Sequence, residues 1–399
     1  MNGLWAGTDV RTITPSLQDL ARRPVFLAGF QGDRRATGLM ADLHVRTLAL
    51  RGSGDRPFVL AVCDLIGLLS EETLTIRAEV ADLGADVVVA TTHTHSGPDV
   101  IGLWGSDGST SGVEERYLAE LRATVAASIR AAVAATEPAV LRAAATTVPG
   151  VIHNYRDPEI LDEAVSVLAF DRPDGSAITT LVNVGVHPEV LDGGSTLISP
   201  DMAGACCTAI ETDRGGTAVW ASGDLGGMQS PTPGPRTPDE VGRKGREVAI
   251  AALRAIEGLD PSPDPRVRYA GGEVRLPLWN PRYRAAIEAG LVRARLDEDG
   301  WIVTDVGVLD LGAARATCWP GEVLPKLGIR MREVLATPVP LLIGLANDEL
   351  GYILPQEDFE APSDLADPGD RYEESMSVGP ETGPSVFAAL EQLIAEATG

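Results

Sequence analysis

The segment Thr91-Thr92-His93-Thr94-His95-Ser96-Gly97-Pro98 closes an apolar, β-branched run and sets two of the chain's five histidines two residues apart. Residues i and i+2 of a strand project from one face, so a strand through this segment aims His93 and His95 into a single site. Two imidazoles on one face are how a metal centre starts.

Outward from this segment, β-branched runs alternate with helical periodicity through most of the chain. That pattern predicts an α/β, or mixed α+β, fold with a large mixed β-sheet core flanked by helices. The predicted strands are Val45 to Leu50, Phe58 to Asp64, Asp86 to Thr94, Ala164 to Phe170, Ile178 to Val186, Thr217 to Ser222, Val303 to Leu311 and Val339 to Ala346. The predicted helices are Glu71 to Leu83, Glu114 to Thr136, Asp201 to Glu211, Pro238 to Ile256, Pro281 to Leu296, Glu322 to Leu335 and Ser385 to Glu396. Pro238 behind Thr237 suits a helix start, because the first turn has no use for its missing N–H. Two loops, the proline-rich Gln229 to Thr237 and the acidic Glu357 to Glu374, lie where loops often rim a site.

With 399 residues, 44% of them apolar, the chain can bury a large core, and one domain over 1–399 is expected. A formal charge of −24 argues against nucleic acid or an anionic membrane surface as partner, since both attract basic proteins. No apolar run reaches the length of a membrane span, and the start Met1 to Asp9 lacks the pattern of a secretory signal. The expectation is therefore a cytoplasmic protein without stable membrane insertion. Cys63, Cys206, Cys207 and Cys318 sit in apolar settings and read as small core residues, not as a disulfide framework or thiolate zinc site. The sequence carries no signal for oligomeric state.

Several segments, in one order, resemble the neutral ceramidase family, zinc-dependent amidases whose catalytic domain carries a His-Thr-His-Ser-Gly-Pro signature. Ala6-Gly7-Thr8-Asp9-Val10, Leu27-Ala28-Gly29-Phe30 and Leu43-His44-Val45-Arg46 look like that family's opening, and Thr91 to Pro98 matches its signature outright. His153-Asn154-Tyr155-Arg156-Asp157-Pro158 looks like a degraded Asn-Arg-Ser-Pro motif. Gly185-Val186-His187-Pro188, followed by Ser199 to Gly204, resembles the second metal-histidine segment. Trp319-Pro320-Gly321-Glu322 and Gly344 to Ile353 look like the segments that supply the last two ligands. The resemblance implies zinc (Zn2+) held by His93, His187, Glu322 and Tyr352, with His95 beside the metal and donating to substrate. Zinc accepts imidazole and carboxylate readily. A tyrosine ligand must bind as, or close to, a phenolate, which a dication in contact favours.

The chain departs from the family where the nucleophilic serine is due, in Ala221-Ser222-Gly223-Asp224-Leu225-Gly226-Gly227-Met228-Gln229-Ser230-Pro231. One register keeps Asp224 and puts Gly226 at the serine position; water activated by the metal would then be the nucleophile. The other keeps Ser230-Pro231 as the family's Ser-Pro, with Ser230 attacking. Arg156 and Tyr372 match the family's substrate-binding arginine and second tyrosine. The family's C-terminal sandwich domain has no counterpart in the sequence.

The expectation is a zinc-dependent amidohydrolase that cleaves a carbon–nitrogen, non-peptide bond of a small or lipid-like amide. His95, Asp224, Ser230, Arg156 and Tyr372 are its candidate catalytic residues. The alternatives are a catalytically inactive metal-binding or regulatory homologue, and a zinc esterase or cyclic-amide hydrolase.

Overall fold

Eight strands with apolar residues on both faces build the larger sheet: β1 (Leu4–Thr12), β2 (His44–Arg51), β3 (Phe58–Cys63), β4 (Asp86–Thr91), β5 (Glu137–Thr147), β6 (Ala164–Asp171), β7 (Ala177–Val184) and β8 (Thr217–Ser222). The structure is a computed structural model that describes residues 3–16, 23–53, 56–365 and 367–398. Strand order is β8-β7-β6-β5-β1-β2-β3-β4. The outermost pairs, β8 with β7 and β3 with β4, are parallel, and the pairs between them are antiparallel. A second sheet runs β9 (Arg268–Leu276), β10 (Ile302–Asp310), β11 (Ala314–Cys318) and β12 (Val339–Ile343) in that order, with only its last pair parallel.

The side-chain alternation of each strand sorts the core into layers. Leu48, Leu60, Val88 and Leu168 of the large sheet pack against Leu309, Ala316 and Leu341 of the small one. On the other face, Val45, Val59 and Val89 meet helices α1 (Ser70–Glu79) and α2 (Glu115–Ala134). Val167, Val182 and Trp220 meet α3 (Asp201–Arg214) and α4 (Pro238–Ile256). The outer face of the small sheet, through Val274, Val306 and Leu342, is covered by α5 (Pro325–Leu335) and α6 (Thr382–Thr398). The result is helix, sheet, sheet, helix, with each fully buried Leu, Ile or Val contributing about 1.5–3 kcal/mol.

The large sheet curls until its two parallel edges meet. Arg46 of β2 donates to the carbonyl of Ala218 in β8 at 3.0 Å, and Ser222 Oγ at the end of β8 donates to Thr92 O, just beyond β4, at 2.7 Å. Gly344 N, after β12, donates to Ser222 O at 2.8 Å. The carboxyl ends of β4, β7, β8 and β12 therefore open onto one region, the place where open parallel sheets bind ligands.

The predicted layout needs four kinds of correction. β1, β5, β9 and β11 were not anticipated: β5 is alanine-rich and reads as helical, β9 carries Gly271-Gly272, and β11 is five residues long. The strand predicted to Thr94 stops at Thr91, because His93 takes φ 65°. The helix predicted from Glu322 begins at Pro325, because Glu322–Val323 first pairs as a short parallel strand with Tyr352–Ile353. The helix from Pro281 ends at Glu288, ahead of Gly290 at φ 71°. No helix among the described residues is long and apolar enough to cross a membrane. All four cysteines are free and buried.

Candidate metal centre

Strand alternation predicted that His93 and His95 share a face; a left-handed turn brings them together instead. At φ 65° His93 occupies a region disfavoured for a non-glycine residue, at a cost of about 1–3 kcal/mol. Hydrogen bonds from Thr92 N to Cys63 O and from His93 N to Leu65 O, both 2.9 Å, hold the turn to the chain leaving β3. The two rings then sit 4.9 Å apart, centroid to centroid. His187, three residues past β7, donates its backbone N–H to Gln229 O at 2.8 Å. Its ring lies 4.9 Å from His93 and 5.5 Å from His95. All three imidazoles are buried, and they offer nitrogens within 4.8 Å of one another.

The protons on these rings follow from their partners. His93 Nδ1 lies 2.6 Å from Ile66 O, and His187 Nδ1 lies 2.9 Å from Gln229 O. A carbonyl only accepts, so each Nδ1 carries hydrogen and each neutral ring turns an Nε2 lone pair inward. Both lone pairs face one carboxylate oxygen, Glu322 Oε2, at 3.4 Å from His93 and 3.2 Å from His187. Three acceptors aimed at one point repel unless a proton or a cation lies between them. Burial by itself would raise the Glu322 carboxyl, but His93 and His187 hold it well below the carboxylate range. Burial would likewise lower His187, and the contact with Glu322 reverses this and raises it. The donor set is the one zinc prefers, so His93, His187 and Glu322 fit a divalent cation.

Tyr352 is the register partner of Glu322 in the short parallel pair, and neighbours across a ladder share a face. Its hydroxyl points to Met228 Sδ at 3.4 Å. Burial and then the Glu322 charge push the phenol well above its ordinary value, so without a cation it stays neutral. Tyr372 packs its ring 5.9 Å from Tyr352 and keeps about half its surface exposed. Burial of its hydroxyl and the Glu322 charge push that phenol up to about 12.

His95 is the third imidazole. Its Nδ1 lies 3.2 Å from Glu189 Oε2 but outside hydrogen-bond geometry, and both ring nitrogens are buried with no hydrogen-bond partner among the described residues. Burial lowers His95 to about 4, against the pull of Glu189. Phe30 covers the ring edge-on at 4.9 Å, and Gly29 beside it, at φ 80°, leaves no room for a Cβ, which would fall 2.6 Å from the imidazole. The resemblance segment Leu27 to Phe30 thus has a packing reason: it lines His95.

The segment after β8 separates the remaining candidates. Asp224 is fully buried and takes two hydrogen bonds from Arg332, at 2.9 and 3.0 Å, and Arg332 also bonds Asp162. No side chain fits at Gly226, where a Cβ would lie 2.6 Å from Glu322 O. Ser230 sits in a short strand, Gln229–Pro231, that pairs antiparallel with Ile152–Asn154, so the predicted loop from Gln229 begins as a strand. Its hydroxyl donates to Glu189 Oε1. Arg156 is bound by Glu373 and Glu374, with contacts of 2.7 to 3.0 Å.

Sequence reasoning missed Glu189, Gln229 and Glu349. Glu189 follows His187 by two residues, the same spacing that singled out His95. Gln229 gives its carbonyl to His187 and its side-chain amide to Gly185 O and Asp224 O, each at 2.9 Å. Glu349 leaves a buried Oε2 without a hydrogen-bond partner among the described residues, and burial with the Glu322 charge raises its carboxyl well above the ordinary value. No local pattern marks Gln229 or Glu349.

Comparison with protein-family models finds no match, and comparison with characterised protein sequences finds none either. Solved structures do match. The neutral ceramidase from Pseudomonas aeruginosa superposes with TM-score 0.77 at 17% identity, over 100% of this chain and 75% of that one. A structure described as ceramidase complexed with C2 matches with TM-score 0.77 at 17% identity, over 99% of this chain and 74% of that one. The chain has a neutral ceramidase-like fold, a mixed α/β architecture with a possible metal site at its histidine cluster.

Proposed function

We propose that the protein is a zinc-dependent hydrolase that cleaves the amide bond of a small or lipid-like N-acyl substrate. The observation that carries this reading is the approach of two inward Nε2 lone pairs and one carboxylate oxygen to a common point, inside a fold shared with ceramidase structures. His93, His187 and Glu322 would hold the ion, joined by Tyr352. Zinc bound there supplies Lewis-acid polarisation of a carbonyl and a lowered pKa for water.

The chain's own residues divide the remaining work. Tyr372, neutral at physiological pH and partly open to solvent, donates a hydrogen bond to the developing oxyanion, an interaction worth about 3–4 kcal/mol. Arg156 acts through it: bound to Glu373 and Glu374, it pins the turn Tyr372–Ser375 that presents the phenol. Asp224 is held by Arg332 and fixes the loop after β8. Ser230 is a poor nucleophile here. Its hydroxyl donates to Glu189, and a carboxylate is a weak base toward an alcohol. Water is therefore the nucleophile in this reading.

A panel of N-acyl amines, N-acyl amino acids and matching esters, assayed with zinc-loaded and chelated protein, tests the proposal. Amide turnover that follows zinc content supports it. Bound zinc with no turnover on any compound favours the inactive metal-binding homologue, and turnover confined to esters favours the esterase.

A further inference from the structure

Arg34 is a buried cation without a counter-charge. Its NH2 group donates to Ala28 O at 2.7 Å and to His95 O, which uses both hydrogens of that nitrogen. Nε and NH1, with three hydrogens between them, are buried and have no hydrogen-bond partner among the described residues. Asp33, its neighbour in sequence, pairs with Arg35 at 2.7 Å, and the half-exposed Asp192 lies 3.9 Å from Arg236. Burial lowers the Arg34 guanidinium to about 10, with the charge of Asp192 opposing, so the group is ionised at neutral pH. In a chain with 57 acidic residues against 33 basic ones, a carboxylate for Arg34 was not hard to supply. Unmet donors on a buried charge are costly, and they mark a bound water or ion or a binding role.

The surroundings give that role a direction. Arg34 folds back under the loop 28–33, which Leu27 N closes by donating to Arg34 O at 2.7 Å. Phe30, at φ 57° and 39% exposed, sets its ring 5.0 Å from the guanidinium carbon of Arg34 and 4.9 Å from the His95 ring, so one strained aromatic residue covers both. The His95 ring in turn lies 4.9 Å from His93, which sets the unpaired charge beside the cluster that fits a cation. The flank at Tyr352 is apolar, formed with Leu324, Leu354, Met228 and Phe359. A ligand that spans the cluster from Arg34 to Tyr352 is matched when it is charged at one end and apolar at the other.

We infer that Arg34 is a specificity-determining residue that takes a carboxylate on the substrate, which makes that substrate an N-acyl amino acid and not a neutral amide. This rests on the reading that the protein hydrolyses amides. A carboxylate that accepts from NH1 supplies the missing counter-charge through a charge-assisted hydrogen bond, while NH2 keeps its two carbonyls. The acyl chain takes the apolar flank. Phe30 must turn aside to admit the carboxylate.

N-hexanoylglycine and N-hexanoylglycinamide differ only in carboxylate against amide. Calorimetric titration of each into the whole chain, chelated so that neither is consumed and again with zinc, reads the preference. The wild type should bind the carboxylate about 10–100-fold tighter, the range of a hydrogen bond to a charged group. Arg34→Met should lose that preference and bind the glycinamide as before, and Arg34→Lys, which keeps the charge, should retain part of it. With zinc, the ratio of kcat/KM for N-hexanoylglycine over N-hexanoylethanolamine should fall in Arg34→Met by the same factor. Equal binding of the two probes by the wild type, binding of neither with or without zinc, or a preference that survives Arg34→Met overturns the inference. Weakened binding of both probes alike in Arg34→Met, with a lower melting temperature and no recovery in Arg34→Lys, assigns Arg34 a purely structural role and also overturns it. A carboxylate preference that depends on Arg34, with neither compound turned over in the presence of zinc, supports the anchor and contradicts the hydrolase reading instead.

Discussion

Two buried polar clusters flank Gln229, and they differ in whether their charges close on themselves. On one side Arg332 lies between Asp162 and Asp224, so each carboxylate meets a guanidinium, while Gln229 Oε1 accepts Asp162 N at 2.9 Å. On the other side His93, His95, His187, Glu322 and Glu189 bring together acceptors and lone pairs, and the buried Arg34 beside them donates to the backbone carbonyl of His95, not to these side chains, among the described contacts. A buried cluster of the first kind is a structural brace. One of the second kind is stable only with a proton or cation at its centre.

The largest expected effect separates the clusters at once. His187→Ala should lower amide turnover by at least a thousandfold and abolish zinc uptake, with a much smaller change in the melting temperature of the metal-free protein, as read by kinetics, metal analysis and calorimetry. Arg332→Met should do the reverse. It strands two buried carboxylates, at a cost of about 3–5 kcal/mol in denaturant unfolding, while the folded fraction still binds one zinc.

A weaker effect comes from pH. Burial, and then the charge of Asp224, raise Asp162 to about 7, with Arg332 opposing. A carboxyl raised in the folded state contributes stability below its unfolded pKa of about 3.9 and loses it as pH climbs through its folded value. Asp162→Asn, which removes that titration, should therefore gain stability relative to the wild type between pH 5 and 8. The slope is bounded by about 1.4 kcal/mol per pH unit for one proton. Unfolding curves at several pH values check the sign; a variant that loses relative stability over that range contradicts the origin given for the shift. The smallest effect belongs to Ser230→Ala. With water as nucleophile, kcat should fall less than about tenfold, whereas loss of a serine nucleophile costs several orders of magnitude.

The sequence revealed the larger outline because the buried strands of both sheets read as uninterrupted apolar runs. The strands it concealed have particular reasons: β5 is just over half alanine and threonine, and β9 exposes Gly271, Glu273 and Arg275 along one side. Within the site, His93, His95, His187 and Glu322 were legible through short motifs, and the structure brings these four together. The reason expected for the first two was different, since a turn at His93 replaces strand alternation. Asp224 was legible as half of a Gly-Asp pair, but its partner Arg332 lies 108 positions away, which no local periodicity encodes. Glu189 escaped because a carboxylate after His-Pro has no meaning until Ser230 and His95 are placed on either side of it.

The central claim is most directly tested by diffraction from zinc-soaked crystals, measured on both sides of the zinc absorption edge. The account predicts one anomalous peak per chain, bounded by His93, His187 and Glu322 and absent in His187→Ala. Protein that hydrolyses amides at full rate after complete chelation, with no peak between those three residues, would contradict it.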